Sequence, residues 1–249
     1  MEGFDPARSF GPQVAPGYDA VSVRGDEDDT VEFLHSRTGA GTALEFAIGT
    51  GRIALPLARR GTPVDGIELS PTMVEQLRAK PGGHDLRVGI GDMSRLRLDR
   101  TYALGYLVYN TIGNLLTQDE QVRCFENAAA HLTPNGVFVL ECRVPTAQSR
   151  AAHQFVDAEY VGADRVVLDV CRYDPVTQIL DEQHVRIDAD GITLSPISLR
   201  LAGPSEFDLM ARIAGLRLVE RFGGWNGEPF TADSWRHVSV YARRSPAAP

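Results

Sequence analysis

The sequence predicts an α/β fold with a mostly parallel sheet and an inserted antiparallel sheet, and three observations support this. Residues 42–141 alternate short apolar runs with helix-forming stretches, as in a parallel sheet with helical crossovers. Near residue 150 the pattern changes to strand-forming segments joined by Asp174-Pro175 and Asp190-Gly191 turns, which is typical of an antiparallel meander. From residue 204 onward, a helix and two strands are expected to complete the first sheet.

The elements follow from local signals along the chain. Residues 31–34 are expected to lie in a helix ahead of the first strand, and Arg52–Arg60 in a helix after it. Ser70 and Pro71 start another helix, because serine caps free N–H groups and proline fits the first turn. The predicted parallel strands are Ala43–Ala47, Val64–Leu69, Leu86–Gly91, Ala103–Tyr109 and Val137–Glu141, with a helix over Gln118–Leu132. The later elements are strands Val166–Cys171, Ile179–Ile187 and Ile192–Leu201, helix Ser205–Ala214, and strands Leu216–Phe222 and His237–Arg243.

Four segments are expected from this pattern: an N-terminal arm with a cap helix (1–41), a ligand-binding core (42–150), an inserted sheet (151–203) and a C-terminal completion of the core (204–249). The inserted sheet is expected either to roof a substrate cavity or to form the surface of a homodimer. The residues do not separate these two alternatives.

Composition argues against several classes of function. The net charge of −8 disfavours a nucleic-acid partner, which would require a basic surface. No apolar run reaches the roughly 18–20 residues of a membrane span, and Met1–Ala20 lacks a signal-peptide pattern, so we expect a cytoplasmic protein without a membrane partner. The 3 cysteines are widely spaced and predict buried free thiols, and the absence of CxxC or HxxxH spacing predicts no metal site.

Residues 42–51 are the most informative stretch of the chain. An apolar run reaches Glu45, Gly49 and Gly51 follow, and a helix-forming segment comes next. This strand, turn and helix N-terminus presents backbone N–H groups to a nucleotide-like ligand. In the next strand, 17 residues after Gly51, Glu68 is suitably placed to bind both hydroxyls of a ribose.

The segment Gly49–Ala54 also fits the GxGxxG/A pattern, so an NAD(P)-dependent oxidoreductase is an alternative. Glu45 argues against it, because a carboxylate just before the glycines repels a pyrophosphate but attracts an ammonium group. About 42 residues precede the first strand, whereas dinucleotide domains often start close to it.

At these residues the chain resembles the class I S-adenosylmethionine-dependent methyltransferases, over residues 15–243. The matching motifs, in order, are Glu45-Phe-Ala47-Ile-Gly49-Thr-Gly51, Glu68-Leu69, Gly91-Asp92-Met93, Tyr109-Asn110-Thr111-Ile-Gly-Asn114 and Leu132-Thr-Pro-Asn-Gly-Val-Phe-Val-Leu-Glu141. The resemblance implies a Rossmann-like class I methyltransferase fold with a mostly parallel seven-stranded sheet. Ala47 replaces the family's first glycine, a change that is tolerated if φ stays negative at that residue. Residues 208–216 and 227–231 resemble bacterial small-molecule and peptide N-methyltransferases of the cypemycin N-methyltransferase type.

The resemblance implies roles for individual residues. The glycine loop would hold the methionine part of S-adenosylmethionine (SAM), with Glu45 attracting its ammonium, and Glu68 would bind the ribose. Asp92 and Met93 would contact the adenine. The full set of expected cofactor-binding residues is Tyr18, Glu45, Ala47, Gly49, Thr50, Gly51, Arg52, Glu68, Leu69, Met73, Gly91, Asp92, Met93, Tyr109 and Asn110.

We expect an in-line displacement in which an acceptor nitrogen or oxygen attacks the methyl carbon and S-adenosylhomocysteine (SAH) leaves, so that the protein chiefly aligns the reactants. Tyr18 and Asn110 are the catalytic candidates, because an aromatic face and oxygen atoms suit a positive sulfonium. No carboxylate–His pair stands out, which favours an amine over a hydroxyl acceptor. The acceptor is expected to be a small molecule, a natural product or a short peptide. Its candidate contacts are Thr111, Asn114, Arg143, His153 and Trp225.

Simpler structural roles remain open for several of these residues. Asp92, Asn110, Thr111 and Asn114 would also serve as caps of the turns that follow them, and Met73 and Trp225 would also serve as core residues. A non-catalytic SAM-binding regulator is a further alternative for the whole chain.

Overall fold

The computed structural model describes residues 1, 4, 9–21, 23–145 and 153–244. Its strands are β1 Ala43–Phe46, β2 Val64–Glu68, β3 Arg87–Ile90, β4 Tyr102–Leu107, β5 Leu132–Arg143, β6 Gln154–Val161, β7 Arg165–Asp174, β8 Ile179–Asp188, β9 Gly191–Arg200, β10 Leu216–Phe222 and β11 Arg236–Arg243. Its α-helices are α1 Tyr18–Val21, α2 Glu27–Thr38, α3 Ala54–Arg59, α4 Pro71–Arg78, α5 Gln118–His131 and α6 Pro204–Ile213. These bounds agree with most of the predicted elements to within a few residues.

The main sheet has seven strands in the order β10-β11-β5-β4-β1-β2-β3. Strands β1 to β5 pair in parallel, and β11 is antiparallel to both of its neighbours. The predicted mostly parallel seven-stranded sheet is therefore confirmed. The order reverses at β1, and the loops after β1, β2 and β4 open at one edge of the sheet, where ligands bind in folds of this kind.

The helices that flank this edge start where their local sequence predicts. Ser70 caps α4 through its hydroxyl, which accepts a hydrogen bond from the Met73 N–H at 3.3 Å. Thr117 and Glu120 form a reciprocal capping box at the start of α5. In α3, Pro56 lies within the first turn, where a missing N–H is tolerated, so the helix forms despite the proline.

Two apolar clusters hold the main sheet between its helices. Successive residues of β1 enter different clusters, because strand side chains point alternately to the two faces of the sheet. Leu44 packs in the cluster of Phe125 and Phe138, and Ala43 packs in the cluster of Leu34 and Leu57. The sheet is therefore covered on both faces, and it is a rigid platform for the loops at its edge.

The inserted sheet consists of β6-β7-β8-β9 and is antiparallel throughout. It adds strand β6, which the sequence pattern did not resolve as a separate element. Leu199 and the carbonyl of Arg200 lie so close to Gly113 that an added Cβ there would be 3.3 and 3.4 Å from them, and this contact joins the inserted sheet to the segment after β4. The expected segment boundary at residues 150 and 151 falls outside the described residues.

None of the helices in the described ranges is long and apolar enough to cross a membrane.

Candidate active site

The glycine loop between β1 and α3 has a left-handed backbone at three positions. The φ angles are +57° at Ala47, +56° at Gly49 and +77° at Gly51. An added Cβ on Gly51 would approach Leu77 and Leu55 to 3.0 and 3.1 Å, so glycine is needed there for space as well as for backbone freedom. The condition under which alanine would be tolerated in place of the family's first glycine, a negative φ, is not met at Ala47. In the left-handed region an alanine is strained by about 1–2 kcal/mol.

Glu45 is buried beside this loop, with 3% of its surface exposed. One carboxylate oxygen accepts a hydrogen bond from the Tyr106 hydroxyl at 2.9 Å. Burial raises the pKa of Glu45 to about 8, and the Tyr106 hydrogen bond and the positive charge of Arg52 oppose this rise. Glu45 lines a small cavity together with Gly49 and Arg52, so its carboxyl group faces the loop and has a cationic neighbour.

Glu68 ends β2 and holds the glycine loop from the other side. Its two carboxylate oxygens accept hydrogen bonds from the Gly49 N–H at 2.8 Å and from the Ser70 N–H at 2.9 Å. Burial raises the pKa of this carboxyl group, and the backbone hydrogen bonds oppose that rise. The two acidic groups predicted from sequence thus meet at the same loop.

The residues expected near an adenine lie along the loops after β2 and β3. Leu69 is 45% exposed, whereas Met73 and Met93 are buried. Asp92 accepts a hydrogen bond from the Ser94 N–H at 2.7 Å, which confirms its capping role. The Gly91 N–H donates to the carbonyl of Glu68 at 2.8 Å and fixes the two loops side by side.

Two tyrosines surround the guanidinium group of Arg52. The Cζ atom of Arg52 lies 3.8 Å from the centroid of the Tyr109 ring and 5.4 Å from that of Tyr18. Tyr18 belongs to α1, Tyr109 follows β4, and Arg52 follows the glycine loop, so three separate segments converge here. The site therefore contains an aromatic pair that accommodates a cation.

Asn110 has a different orientation from the one expected of a catalytic residue. Its side-chain oxygen accepts hydrogen bonds from the Cys142 thiol at 2.8 Å and the Arg143 N–H at 3.1 Å. This oxygen is directed at β5, so the hypothesis that it faces the reacting methyl group is not supported. The following residues Thr111–Asn114 form a single 3₁₀ turn, in which Thr111 and Asn114 are half-buried.

The N-terminal arm closes over the glycine loop through polar contacts that the sequence did not indicate. The Thr50 hydroxyl donates to Asp19 at 2.5 Å, and Lys80 forms an ion pair with the same carboxylate while donating to the Thr50 carbonyl. The Ser70 hydroxyl donates to the carbonyl of Phe10 at 2.7 Å. Lys80 is the single lysine of the chain, which is the only sequence signal that could have drawn attention to this contact.

Comparison with known proteins identifies the family. The family described as "Methyltransferase domain" matches residues 43–136. The CcbJ methyltransferase from Streptomyces caelestis is 35% identical, and the match covers 97% of this chain and 100% of that one with a TM-score of 0.91. The chain belongs to the class I SAM-dependent methyltransferases. It is an enzyme of this family, with SAM as its cofactor, and the NAD(P)-dependent and regulatory alternatives are set aside.

Curated relatives of this methyltransferase include enzymes of natural-product type. The cypemycin N-terminal methyltransferase of a Streptomyces species is 29% identical over 204 residues, which cover 82% of this chain and 83% of that protein. A dTDP-3-amino-3,6-dideoxy-alpha-D-glucopyranose N,N-dimethyltransferase from Streptomyces fradiae is 34% identical over 102 residues, or 41% of this chain and 39% of that protein.

The residues of the methyltransferase fit its cofactor chemically. Two buried carboxyl groups lie at the glycine loop, where such groups can accept from hydroxyls or attract an ammonium group, and an aromatic pair encloses a cation. The Tyr109 hydroxyl is buried without a hydrogen-bond partner among the described residues. The cavity at the loop measures about 30 Å³, much less than the roughly 300 Å³ of a small-ligand pocket. A larger groove of about 390 Å³, lined by Asp19, Arg52 and Lys80, adjoins it on the outer side of α3.

The expected acceptor contacts do not all converge. Arg143 is exposed at the end of β5, beside the Tyr109–Asn110 segment that its backbone contacts. Trp225 is 4% exposed and packs edge-to-face on Phe33 at 5.4 Å, which favours its core role. His153 is exposed just ahead of β6, and its carbonyl accepts from the Tyr173 N–H at 2.9 Å.

Asp169 and Glu182 of the inserted sheet share one face of that sheet, which lies toward Arg143. Asp169 contacts His184 at 2.5 Å, and Glu182 is 8% exposed on the same face. Burial raises the pKa of Glu182, and the positive charges of His184 and Arg143 oppose this rise. The charge of Arg143 reaches Glu182, so this face of the sheet lies toward the end of β5.

The network around Glu141 is the main part of the site that sequence reasoning missed. Glu141 lies in β5, is 1% exposed, and binds Arg24 and the backbone N–H of Tyr109. A charged residue closing the apolar run Val137–Leu140 is a signal that could have identified it.

The strain at Ala47 generates a stability prediction. Ala47→Gly relieves about 1–2 kcal/mol of left-handed strain and adds about 0.5–1 kcal/mol of chain entropy cost, so we expect a gain of up to about 1 kcal/mol in the free energy of unfolding. Urea denaturation measures it. The matched variant Ala128→Gly, in the interior of α5, should lose about 1 kcal/mol or more. Equal losses in both variants would contradict the strain assignment.

Proposed function

We propose that this methyltransferase transfers the SAM methyl group to an amine nitrogen of a small natural-product or short-peptide acceptor. The observation that carries the proposal is the similarity over four-fifths of the chain to the cypemycin N-terminal methyltransferase, whose name specifies an amine. The amino-sugar N,N-dimethyltransferase is a second relative whose name specifies methylation of nitrogen, matched over 41% of this chain.

The proposed cofactor position follows from the carboxyl edge of the sheet. Glu68 binds the ribose hydroxyls, and Glu45 attracts the ammonium group of the amino-acid tail. Leu69 and Met73 border the adenine, and Asp92 receives its amino group. Bound SAM supplies an electrophilic methyl group on a positive sulfur.

The remaining cofactor contacts come from the glycine loop and the aromatic pair. The Gly49–Gly51 backbone turns around the amino-acid tail, and Arg52 moves away from Tyr109 to pair with the carboxylate of that tail. Tyr18 and Tyr109 then offer their ring faces to the sulfonium, whose charge replaces that of the guanidinium. Asn110 is not assigned a contact with the sulfonium, because its side-chain oxygen already accepts two hydrogen bonds from β5.

The groups beside Tyr109 favour an amine acceptor, because each is already bonded or buried. The Asp169–His184 pair, a carboxylate–His pair that the sequence did not reveal, lies on the inserted sheet. Glu45 is bonded to Tyr106, and Glu141 is paired with Arg24. His237, paired with Cys142 across the sheet, is fully buried, and burial lowers its pKa to about 3, so it is a weak base. A neutral amine attacks without prior proton removal, whereas a hydroxyl benefits from a base.

The inserted sheet is proposed as the roof over the acceptor. Its face with Asp169, Glu182 and His184 lies toward Arg143, and negative groups there favour a basic acceptor. Its other face exposes the apolar side chains of Val156, Val170 and Leu194. A homodimer formed through that face remains the alternative prediction.

Incubation with isotope-labelled SAM tests the proposed function. We expect label in amine-containing acceptors such as amino sugars and peptides with a free N-terminus, with release of SAH. The same acceptors blocked by N-acetylation are the matched control and should receive no label. Labelling of hydroxyl-only analogues at an equal rate would refute N-specificity.

Loss of the ribose carboxylate should sharply weaken SAM binding. Hydrogen bonds to charged groups contribute about 1.5–3 kcal/mol each, so Glu68→Ala should raise the SAM dissociation constant by roughly 10- to 100-fold or more. Isothermal calorimetry on the folded variant measures it, and Glu68→Gln, which keeps one acceptor oxygen, should give an intermediate value. Unchanged affinity in the alanine variant would refute the ribose assignment.

Proton release should accompany SAM binding, because Glu45 has a pKa of about 8 in the free protein and an ammonium neighbour favours its ionised form. Affinity should therefore rise between pH 6 and pH 7.5, and calorimetry at pH 7 in phosphate and in Tris should report up to one released proton. The same shift affects the stability of the free protein. Glu45 ionises in the unfolded chain at its ordinary pKa of 4.5 but in the folded protein only near pH 8, so the free energy of unfolding falls as the pH rises from 4.5 to 8.

Glu45→Gln keeps an acceptor for Tyr106 but has no proton to release. In this variant the binding heat should no longer depend on the buffer. Equal proton release by the variant and the wild type would contradict the role of Glu45.

A further inference from the structure

Two consecutive residues after β4 have a left-handed backbone although neither is glycine. The φ angles are +62° at Tyr109 and +58° at Asn110. A bulky aromatic residue is a rare occupant of this region, and such strain persists only where surrounding contacts hold it. Hydrogen bonds that involve the side chains of β5 or of Asn110 link this pair to one strand, β5.

Glu141 of β5 supplies the contact to Tyr109. Its Oε2 atom accepts a hydrogen bond from the Tyr109 N–H at 2.6 Å and another from Arg24 Nη1 at 3.2 Å. Its Oε1 atom accepts from Arg24 Nη2 at 2.9 Å. Within the same strand, Cys142 and Arg143 donate to the side chain of Asn110, so neighbouring residues of β5 hold both strained positions.

Arg24 extends this contact to the segment between the N-terminal arm and α2. The backbone N–H of Arg24 donates to Glu27 at 2.9 Å, and Arg236 pairs with Asp26 while lying 3.6 Å from Glu141. The Cζ atom of Arg24 also lies 4.6 Å from the centroid of the Tyr109 ring. Both the backbone and the ring of Tyr109 are therefore fixed by the Glu141–Arg24 pair.

The fixed ring of Tyr109 is the one that contacts the cationic Arg52. A cation is attracted to an aromatic face only when it is placed over that face, within about 6 Å of the centroid. If the Tyr109 backbone relaxed to a negative φ, its ring would leave this position. The hydrogen bond from the Tyr109 N–H to Glu141 thus determines where the aromatic face lies.

We propose that Glu141 is a positioning residue that holds Tyr109 in its left-handed conformation so that its ring recognises the positive sulfonium of SAM. The inference rests on the proposed function, which places the sulfonium at the Tyr18–Tyr109 pair. Glu141 itself touches neither the cofactor nor the reacting atoms. It acts through one backbone hydrogen bond, and Arg24 orients its carboxylate.

The ratio of the dissociation constants of SAH and SAM tests this role. The two ligands share the adenosine and the amino-acid tail and differ in the charged sulfonium methyl group, so a general loss of folded protein leaves the ratio unchanged. Glu141→Asp keeps the charge but withdraws the carboxylate by one bond length, about 1.5 Å. We expect it to shift the ratio against SAM by roughly 3- to 30-fold, the range of a cation–aromatic contact.

Glu141→Gln is the conservative variant, because its amide oxygen can still accept from the Tyr109 N–H. It should keep the ratio within about threefold of the wild type, although it loses the charge that pairs with Arg24. A ratio that stays at the wild-type value in Glu141→Asp would overturn the proposal, as would equal shifts in both variants.

Asp65 offers a matched control away from the site. It is a buried carboxylate in β2 that binds Arg100 and the Tyr102 hydroxyl, both at 2.9 Å. Asp65→Glu and Asp65→Asn should lower thermal stability and leave the ratio unchanged. A shift of the ratio in these variants would show that any buried carboxylate affects it and would overturn the specific role of Glu141.

Tyr109→Leu separates this inference from the proposed function. If the ratio shifts in Tyr109→Leu but not in Glu141→Asp, the positioning role of Glu141 is refuted and the proposed sulfonium position stands. If the ratio does not shift in Tyr109→Leu, the proposed sulfonium position is refuted as well. If Glu141→Asp does not fold, hydrogen exchange of the Tyr109 amide in the wild type decides. Slow exchange is expected for an N–H that is hydrogen-bonded to Glu141, and exchange at the rate of an unbonded amide would refute this anchoring hydrogen bond.

Discussion

Carboxylates buried at the carboxyl edge of a parallel sheet are the constraint on which the rest of this enzyme depends. Glu45, Glu68 and Glu141 lie at or near the ends of β1, β2 and β5, and each is 6% exposed or less. A buried carboxylate without partners costs several kcal/mol, so each one must bind a donor. The donors are the Tyr106 hydroxyl, the loop N–H groups and Arg24, and these are the groups that shape the site.

The second organising feature is a cation held between aromatic faces. In the structure the guanidinium of Arg52 fills that position, next to Tyr18 and Tyr109. Under the proposed function, the positive sulfonium of the cofactor takes this position. Asp19, next to Tyr18 in the N-terminal arm, binds Thr50 and Lys80, so the contacts that attach the arm also hold Tyr18 beside Tyr109.

Local sequence signals predicted most of the fold and the acidic part of the site. Apolar runs, the Ser70-Pro71 helix start and the Gly49–Gly51 turn are properties of neighbouring residues, and they placed the strands and the two acidic groups correctly. The predictions for Ala47, Asn110 and Trp225 depended on backbone angles or on partners far along the chain. Asn110 was expected to face the methyl group, but its partners in β5 lie 32 and 33 residues away.

The sequence by itself determined the α/β class, the strand that carries each acidic residue and the resemblance to SAM-dependent methyltransferases, because periodicity and short motifs are encoded locally. Only the tertiary structure decided that Arg24 meets Glu141, 117 positions later, and that Lys80 fastens Asp19 to the glycine loop. A single sequence does not specify which residues from distant parts of the chain come into contact at the edge of the sheet. The left-handed backbone at Tyr109 has the same origin, since it is held by contacts from another strand and not by its own residue type.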